Sequence, residues 1–188
     1  MTLPETTVVL ASGERTNLSD LCAKGPVAFI FLRHLGCPFC HEQIRRLSKA
    51  TDLDVIFVGL AEPERAKALL RKWRSPHRIV CDPQARLARH FYLMPGGFWN
   101  VFGPPVWFPA VSAFVRGRLP LVYRLGDIWH LPAAFVVDQS GAIVFTHHGR
   151  HAADTLTEST LRHALASAVL ESPGRADEER REPAHDRL

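Results

Sequence analysis

Two cysteines three positions apart, Cys37 and Cys40, are the residues whose types and spacing point most directly to chemistry. On a helix, residues at this spacing share one face, so the two sulfurs come within bridging distance of each other. A CxxC pair that follows a buried strand and opens a helix is typical of thiol redox sites. The pattern therefore predicts a dithiol that cycles with a disulfide.

The neighbours of Cys37 favour its thiolate form. Gly36 permits a tight turn, and Pro38 suits the first position of a helix, where a missing N–H costs nothing. Cys37 is then expected near the helix N-cap, facing free N–H groups and the positive end of the dipole. Arg33 and His34 add positive potential if they fold towards the sulfur. We therefore expect Cys37 to be the exposed, attacking thiolate.

Cys40 continues a helical stripe of apolar residues that includes Ile44 and Leu47. This placement predicts that Cys40 is the more buried sulfur of the pair. A buried thiol beside the attacking cysteine is suited to resolving the intermediate into an intramolecular disulfide.

The other two cysteines stand outside the motif. Cys81 follows a short β-prone run and is a candidate third redox thiol, although such a cysteine is more often a small core residue. Cys22 shares a helical face with Leu18 and Leu21, which favours a core position still more.

Three other interpretations use the same cysteine pair. Cys37, Cys40 and His41 match the CxxCH pattern of c-type haem attachment, and Met94 offers a distal ligand. Zinc would need further ligands, and the sequence has no second CxxC to complete a strong pattern. A thioredoxin-like module that binds a partner without catalysis is the third alternative. The redox pair is favoured over all three, and no cofactor or metal is expected.

The order of elements indicates an α/β fold. Apolar runs predict buried strands at 27–32 and 54–60, and a turn at 138–141 between the runs 133–137 and 142–145 predicts a hairpin. Shorter strands are expected at 7–10 and 78–81, and helices near 18–22, from 37, and at 62–73, 85–92 and 152–170. Strands that alternate with helices before a hairpin and a closing helix predict a mixed central sheet flanked by helices.

The 188 residues are enough for one domain with a hydrophobic core. We expect a single domain over 1–171, with an irregular aromatic-rich insertion at 94–130. The segment 172–188 is charged and poor in large apolar residues, which predicts a disordered tail.

Charge and hydropathy exclude several functional classes. The net charge of +4 comes without a dense block of lysine and arginine, which argues against nucleic acid as a partner. No stretch of about 20 residues is uniformly apolar, so no membrane span is expected. The first residues lack the pattern of a secretory signal, and the expected location is therefore cytoplasmic.

Two segments of the sequence resemble a known family. Two segments are similar to the thioredoxin-like alkyl hydroperoxide reductase/thiol-specific antioxidant group: residues 27–47, which include FIFLRHLGCPFCHEQIRRL, and residues 131–138, LPAAFVVD, with the following Gly141. The similarity is greatest to the peroxiredoxin-like members that carry a CxxC, and it covers most of residues 5–170.

The resemblance implies a thioredoxin-like fold in which Pro132 is cis and packs against the CxxC. It also implies an antioxidant enzyme that reduces disulfides or peroxides and is itself reduced by a thioredoxin- or glutathione-type thiol system. A homodimer is a candidate assembly.

The sequence departs from the peroxiredoxin pattern Pro-x-x-x-Thr/Ser-x-x-Cys in either register. Counted back from Cys40, Cys37 takes the Thr/Ser place and Arg33 the proline place. Counted back from Cys37, those places hold His34 and Ile30.

A second departure lies at the late strand, where peroxiredoxins usually carry an arginine just before the strand and this chain has Leu131 and Pro132. The departures shift the expectation towards disulfide exchange. Family alignments can also place the peroxidatic role on the second cysteine, whereas the helix dipole favours Cys37.

Overall fold

A computed structural model describes residues 2–91, 93, 99–100, 103–104, 106–107, 111 and 130–171. Its strands are β1 (Thr7–Leu10), β2 (Arg15–Asn17), β3 (Val27–Phe31), β4 (Val55–Gly59), β5 (Arg78–Cys81), β6 (Ala133–Val137) and β7 (Ile143–His148). Its α-helices are α1 (Pro38–Leu47), α2 (Pro63–Trp73), α3 (Arg86–His90) and α4 (Glu158–Glu171), with a 3-10 helix at Ser19–Cys22.

The seven strands form one mixed sheet in the order β2-β1-β5-β4-β3-β6-β7. Strands β5, β4 and β3 are parallel, and β1, β2, β6 and β7 join them by antiparallel pairing. Phe29 at the centre of β3 pairs with Ile56 on β4 and with Phe135 on β6. The α/β fold with a mixed sheet flanked by helices, which the sequence predicts, is confirmed.

Strand β3 is buried along its whole length because both faces of the sheet are covered. Ala28 and Ile30 face a core that also contains apolar residues of α1, α2 and α4. Val27, Phe29 and Phe31 face a second core, beneath the 3-10 helix and α3. The carboxyl end of β3 therefore lies between two packed layers.

Most of the predicted elements lie where the sequence placed them. The strands at 7–10 and 78–81 and the β6–β7 hairpin are confirmed. In the hairpin turn, Asp138 Oδ1 accepts hydrogen bonds from Ser140 N at 2.8 Å and from Ala142 N at 2.9 Å. Gly141 adopts a φ of 83°, which favours glycine at this position.

Two predictions along the chain were wrong in detail. The helix expected near 18–22 is a 3-10 helix at Ser19–Cys22, and Asn17 before it pairs with Thr7 as part of β2. The last helix begins at Glu158 rather than at residue 152, because the preceding segment instead contacts α1: Arg46 donates a hydrogen bond to the Leu156 carbonyl.

The expected insertion at 94–130 lies mostly outside the described residues, as does the expected tail at 172–188. Within the described part of the chain, no helix combines the length and the apolar character that crossing a bilayer requires.

Candidate active site

The cysteine pair lies at the carboxyl end of β3, where the chain turns into α1. Cys37 is the N-cap of α1, with extended φ and ψ of −73° and 123°, and Pro38 follows inside the first helical turn. The turn is closed by a hydrogen bond from Cys37 N to the His34 carbonyl at 3.1 Å. This local structure matches the strand–turn–helix arrangement predicted around the CxxC.

Both sulfurs of the pair are buried. The relative exposure of Cys37 is 1%, and that of Cys40 is 2%. The prediction that Cys37 is exposed was therefore wrong. Both cysteines belong to the same core cluster as Ile30 and Ala134, so the sheet and α1 enclose them together.

Arg33 places a guanidinium beside the buried sulfur. Its Nη1 donates to Cys37 Sγ at 3.6 Å, and its Nε donates to the His130 carbonyl oxygen at 2.7 Å. Arg33 is only 4% exposed, so little water screens its charge from the sulfur. The rigid fork of an arginine suits such a double contact, which a lysine could not make in the same way.

The surroundings lower the pKa of Cys37 to about 6. The largest cause is the hydrogen bond from the Cys40 thiol, which stabilises the thiolate; burial opposes it, and the charge of Arg33 lowers the pKa further. The amides of Phe39 and Cys40 contribute as well, although Cys37 accepts no regular capping hydrogen bond. These surroundings favour the thiolate form of Cys37.

The pKa of Cys40 is shifted in the opposite direction. Its hydrogen bond to Cys37, its burial and the nearby negative charge of Cys37, in that order, raise its pKa well above the ordinary range. The two pKa values are therefore shifted in opposite directions, which favours a thiolate on Cys37 that accepts a hydrogen bond from the Cys40 thiol.

Pro132 does not have the conformation that the resemblance implied. The described residues contain no cis peptide bond, so the Leu131–Pro132 bond is trans and the prediction of a cis proline was wrong. The Pro132 carbonyl accepts a hydrogen bond from Gly149 N at 2.8 Å. A Cβ on Gly149 would lie only 2.6 Å from Pro132 Cγ, so this glycine admits the proline ring. The segment just before β6 contacts the site instead through the His130 carbonyl, which accepts the hydrogen bond from Arg33.

His41 has both ring nitrogens engaged. Nδ1 accepts a hydrogen bond from Trp73 Nε1 at 3.2 Å, so Nε2 carries the proton and donates to the Leu35 carbonyl at 2.6 Å. Burial, the largest cause, lowers the pKa of His41 and keeps the ring neutral. No nitrogen of this histidine is left for iron or zinc.

The rest of the described chain does not support metal or haem binding either. It contains no group of three or more His, Cys, Asp or Glu residues arranged to hold a metal ion. Met94, the distal ligand considered for haem, lies outside the described residues.

Cys81 ends β5, which is separated from β3 by β4. Neighbouring strands lie about 4.8 Å apart, so this thiol is about 10 Å from the strand that carries the pair. Burial and, to a smaller extent, the charge of Glu62 raise the pKa of Cys81 to about 11. These properties are typical of a core thiol, and its redox role stays a prediction.

Sequence reasoning missed two features of the site. The hydrogen bond between Arg33 and the His130 carbonyl joins residues 97 positions apart. Its acceptor is a backbone oxygen, which every residue type has, so the sequence does not indicate it. The contact between His41 and Trp73 was also not predicted. Helical spacing indicates which face of a helix a residue lies on, but not which residue of another helix it contacts.

Comparison with known proteins identifies the family. The model of the AhpC/TSA antioxidant enzyme family matches residues 41–151, which is more than half of the chain. The matched range begins directly after Cys40, so the cysteine pair itself lies outside it. A search of curated proteins found no match.

Solved structures of peroxiredoxins share the fold at low sequence identity. Peroxidoxin BcpB from Mycobacterium tuberculosis is 16% identical, with a TM-score of 0.59, and the similarity covers 92% of this chain and 96% of that one. A reduced 2-Cys peroxiredoxin from Plasmodium vivax is 13% identical, with a TM-score of 0.62 and coverages of 95% and 96%. A peroxiredoxin-like protein from Aquifex aeolicus is 12% identical, with a TM-score of 0.63 and coverages of 89% and 85%.

The thioredoxin-like fold and the extent of the family match agree with each other and with the resemblance read from the sequence. The chain belongs to the AhpC/TSA antioxidant enzyme family, and it is a thiol-dependent antioxidant enzyme.

Proposed function

We propose that this enzyme reduces small hydroperoxides with Cys37 as the attacking thiolate and Cys40 as the resolving thiol. The observation that carries the proposal is the environment of Cys37, whose pKa of about 6 makes it a thiolate at neutral pH. Only the thiolate is an effective nucleophile, and the guanidinium of Arg33 lies 3.6 Å from its sulfur.

The first step breaks the O–O bond of the hydroperoxide. The Cys37 thiolate attacks the terminal oxygen and becomes a sulfenic acid, while the other oxygen leaves and takes a proton to give an alcohol or water. Cys37 is oxidised by two electrons, and the peroxide is reduced by two. The buried positive charge of Arg33 stabilises the negative charge as it moves from sulfur to oxygen.

In the second step, Cys40 displaces the sulfenic hydroxyl. The S–S bond forms, the S–O bond breaks, and the hydroxyl leaves as water with the proton of the Cys40 thiol. Because the raised pKa of Cys40 keeps it a thiol, it does not compete with Cys37 for the peroxide. The pair sits within the first turn of α1, so the two sulfurs are close before oxidation begins.

Burial of both sulfurs supports a small peroxide over a folded-protein disulfide as the oxidising substrate. A protein disulfide has to bring its own sulfur into line with Cys37, which is 1% exposed. A hydroperoxide group is small enough to reach such a site. Disulfide exchange remains the second candidate, since the same dithiol can carry it out.

Replacement of the resolving cysteine tests this division of roles. In Cys40→Ser, we expect one equivalent of peroxide to be consumed and a sulfenic acid to persist on Cys37, while turnover with a thiol reductant falls at least about tenfold. The hydroxyl of serine still donates to Cys37, which preserves part of the thiolate stabilisation. Stopped-flow oxidation and a sulfenic-acid trap would measure both effects.

The matched control is Cys22→Ala, which removes a fully buried thiol outside the pair. Its turnover should equal that of the wild type. The roles would have to be reversed if Cys40→Ser failed to react with peroxide while Cys37→Ser formed the sulfenic acid.

A further inference from the structure

His41 holds the loop that leads into the CxxC motif, although it takes no part in the proposed redox steps. Residues 35–37 form this redox loop, and His41 contacts it at two points. Its backbone N–H donates to the Cys37 carbonyl at 3.0 Å, and its side-chain Nε2 donates to the Leu35 carbonyl at 2.6 Å. The first bond belongs to the opening turn of α1, where any residue except proline would form it. The second bond depends on the imidazole.

Trp73, the last residue of α2, fixes the orientation of that imidazole. Its Nε1 donates to His41 Nδ1 at 3.2 Å, and the two rings are nearly perpendicular, at 86°. Because an indole nitrogen can only donate, this contact places the histidine proton on Nε2, where it faces the Leu35 carbonyl. Trp73 itself packs against the core cluster that contains the cysteine pair. The indole therefore selects the tautomer that holds the loop.

The redox loop needs this support because packing leaves one of its sides open. The Leu35 side chain packs over Gly59, where an added Cβ would lie 3.3 Å from Leu35 Cδ2. Towards α2, Leu35 and Gly36 border an open groove of about 400 Å³ whose other wall is formed by α2. The two hydrogen bonds from Trp73 through His41 to the Leu35 carbonyl connect α2 to the loop across this open side.

The position of the loop determines which donors reach the sulfur of Cys37. Cys37 is the N-cap of α1 and has an extended backbone, so it follows the loop rather than the helix. Arg33 Nη1 donates to its sulfur at 3.6 Å, and the Cys40 thiol and the amides of Phe39 and Cys40 donate as well. Among the described residues, Arg33 and Cys40 are the charged or titratable groups that act on this sulfur. Hydrogen bonds weaken steeply when their geometry is disturbed, so a shifted loop would weaken all of these contacts.

We propose that His41 is a positioning residue for the redox reaction: its hydrogen bond to the Leu35 carbonyl, fixed by Trp73, holds the redox loop so that Cys37 stays against its donors. The imidazole acts through the backbone of the loop, since both of its ring nitrogens are engaged by Trp73 and Leu35. The inference rests on one part of the proposed function, the role of Cys37 as the reactive thiolate. It does not depend on which oxidant that thiolate attacks.

Two amide substitutions of His41 separate its two contacts in the full-length protein. Glutamine carries its amide nitrogen about as far from Cα as Nε2, so it can still donate to the Leu35 carbonyl, whereas the shorter asparagine cannot. The measurement is the pH at which alkylation of Cys37 by iodoacetamide, located by mass spectrometry, reaches half its maximum. In His41→Asn, we expect this midpoint to rise by about 0.7 pH unit, which slows alkylation about fivefold at pH 5, the effect of one lost hydrogen bond.

His41→Gln should restore the midpoint to near the wild-type value. Trp73→Phe keeps an aromatic ring but removes the indole N–H, so its midpoint should rise by less than that of His41→Asn. An unchanged midpoint in His41→Asn, or an equal rise in His41→Asn and His41→Gln, would overturn the proposal. Should His41→Asn fail to fold, as judged by circular dichroism, an unchanged midpoint in Trp73→Phe would overturn it instead.

His77→Asn is the matched control for general loosening of α1. His77 Nε2 donates to the Leu47 carbonyl at 2.8 Å, so it ties down the opposite end of the same helix. This variant should unfold at a lower denaturant concentration and keep the wild-type midpoint. A rise equal to that of His41→Asn would contradict a positioning role. Failure of the enzyme to reduce peroxide would leave all of these midpoints unaffected, so it is distinguishable from failure of this inference.

Discussion

Cys37→Ser is expected to lower peroxide turnover more than about 1,000-fold. Removing the nucleophile of other enzymes costs on the order of 10⁶ in kcat, and a serine at this position has no comparable means of ionising. The fold should survive, because serine is close in size to cysteine and can still act as the N-cap of α1. A coupled assay with hydrogen peroxide and excess thiol would measure the loss, and circular dichroism would check the fold.

Cys22, which lies outside the pair, provides the control for this loss of turnover. Cys22 is fully buried, and its pKa is raised to about 12, chiefly by burial, so Cys22→Ala should retain wild-type turnover. If Cys37→Ser kept more than about a tenth of the wild-type turnover, Cys37 could not be the attacking sulfur.

Arg33→Met is expected to raise the pKa of Cys37 and to slow its reactions at neutral pH. The charge of Arg33 lowers this pKa, whereas the burial that opposes ionisation stays in place when the arginine is removed. If the pKa returned fully to about 8.5, the thiolate fraction at pH 7 would fall about 30-fold. The Cys40 hydrogen bond, the largest stabilising cause, is retained, so we expect a loss of about 3- to 30-fold.

The pH dependence provides the measurement. For the wild type, alkylation of Cys37 by iodoacetamide should rise with pH, reach half its maximum near pH 6 and stay level above it, because deprotonation creates the reactive form. In Arg33→Met, the midpoint should move to higher pH, and the level reached at high pH should change far less.

Two further variants separate charge from geometry. Arg33→Lys keeps the charge but cannot reach both Cys37 and the His130 carbonyl as the guanidinium does. The pH midpoint of Cys37 alkylation in Arg33→Lys should therefore lie between those of the wild type and Arg33→Met. Arg45→Met, which removes a partly exposed partner of Glu42, should leave the midpoint unchanged. An unchanged midpoint in Arg33→Met would show that the arginine does not stabilise the thiolate.

Much of the fold could be predicted because burial leaves a direct record in the sequence. The continuous apolar runs of β3 and β4 identify strands covered on both faces, and the turn at 138–141 identifies the hairpin. Strand β2 was missed because the three residues Arg15–Asn17 carry no apolar pattern and owe their conformation to pairing with β1.

For the site, the sequence could identify the cysteine pair and its helix but not its surroundings. Spacing places Cys37 at the N-terminus of α1, yet its burial depends on side chains from β3 and β6 that come from distant parts of the chain. The orientation of Arg33 likewise depends on a backbone carbonyl at residue 130. The trans bond at Pro132 likewise differs from the cis bond that the family resemblance implied.

Time-resolved thiol mapping tests the assignment of the attacking sulfur most directly. Reduced enzyme is mixed with one equivalent of hydrogen peroxide, quenched at intervals with a sulfenic-acid trap and an alkylating reagent, and digested for mass spectrometry. We expect the sulfenic acid to appear first on Cys37 and to be replaced by the Cys37–Cys40 disulfide, while Cys22 and Cys81 stay reduced. A first oxidation on Cys40 or Cys81, or a lasting sulfenic acid on Cys37 with no disulfide to Cys40, would contradict the proposed roles.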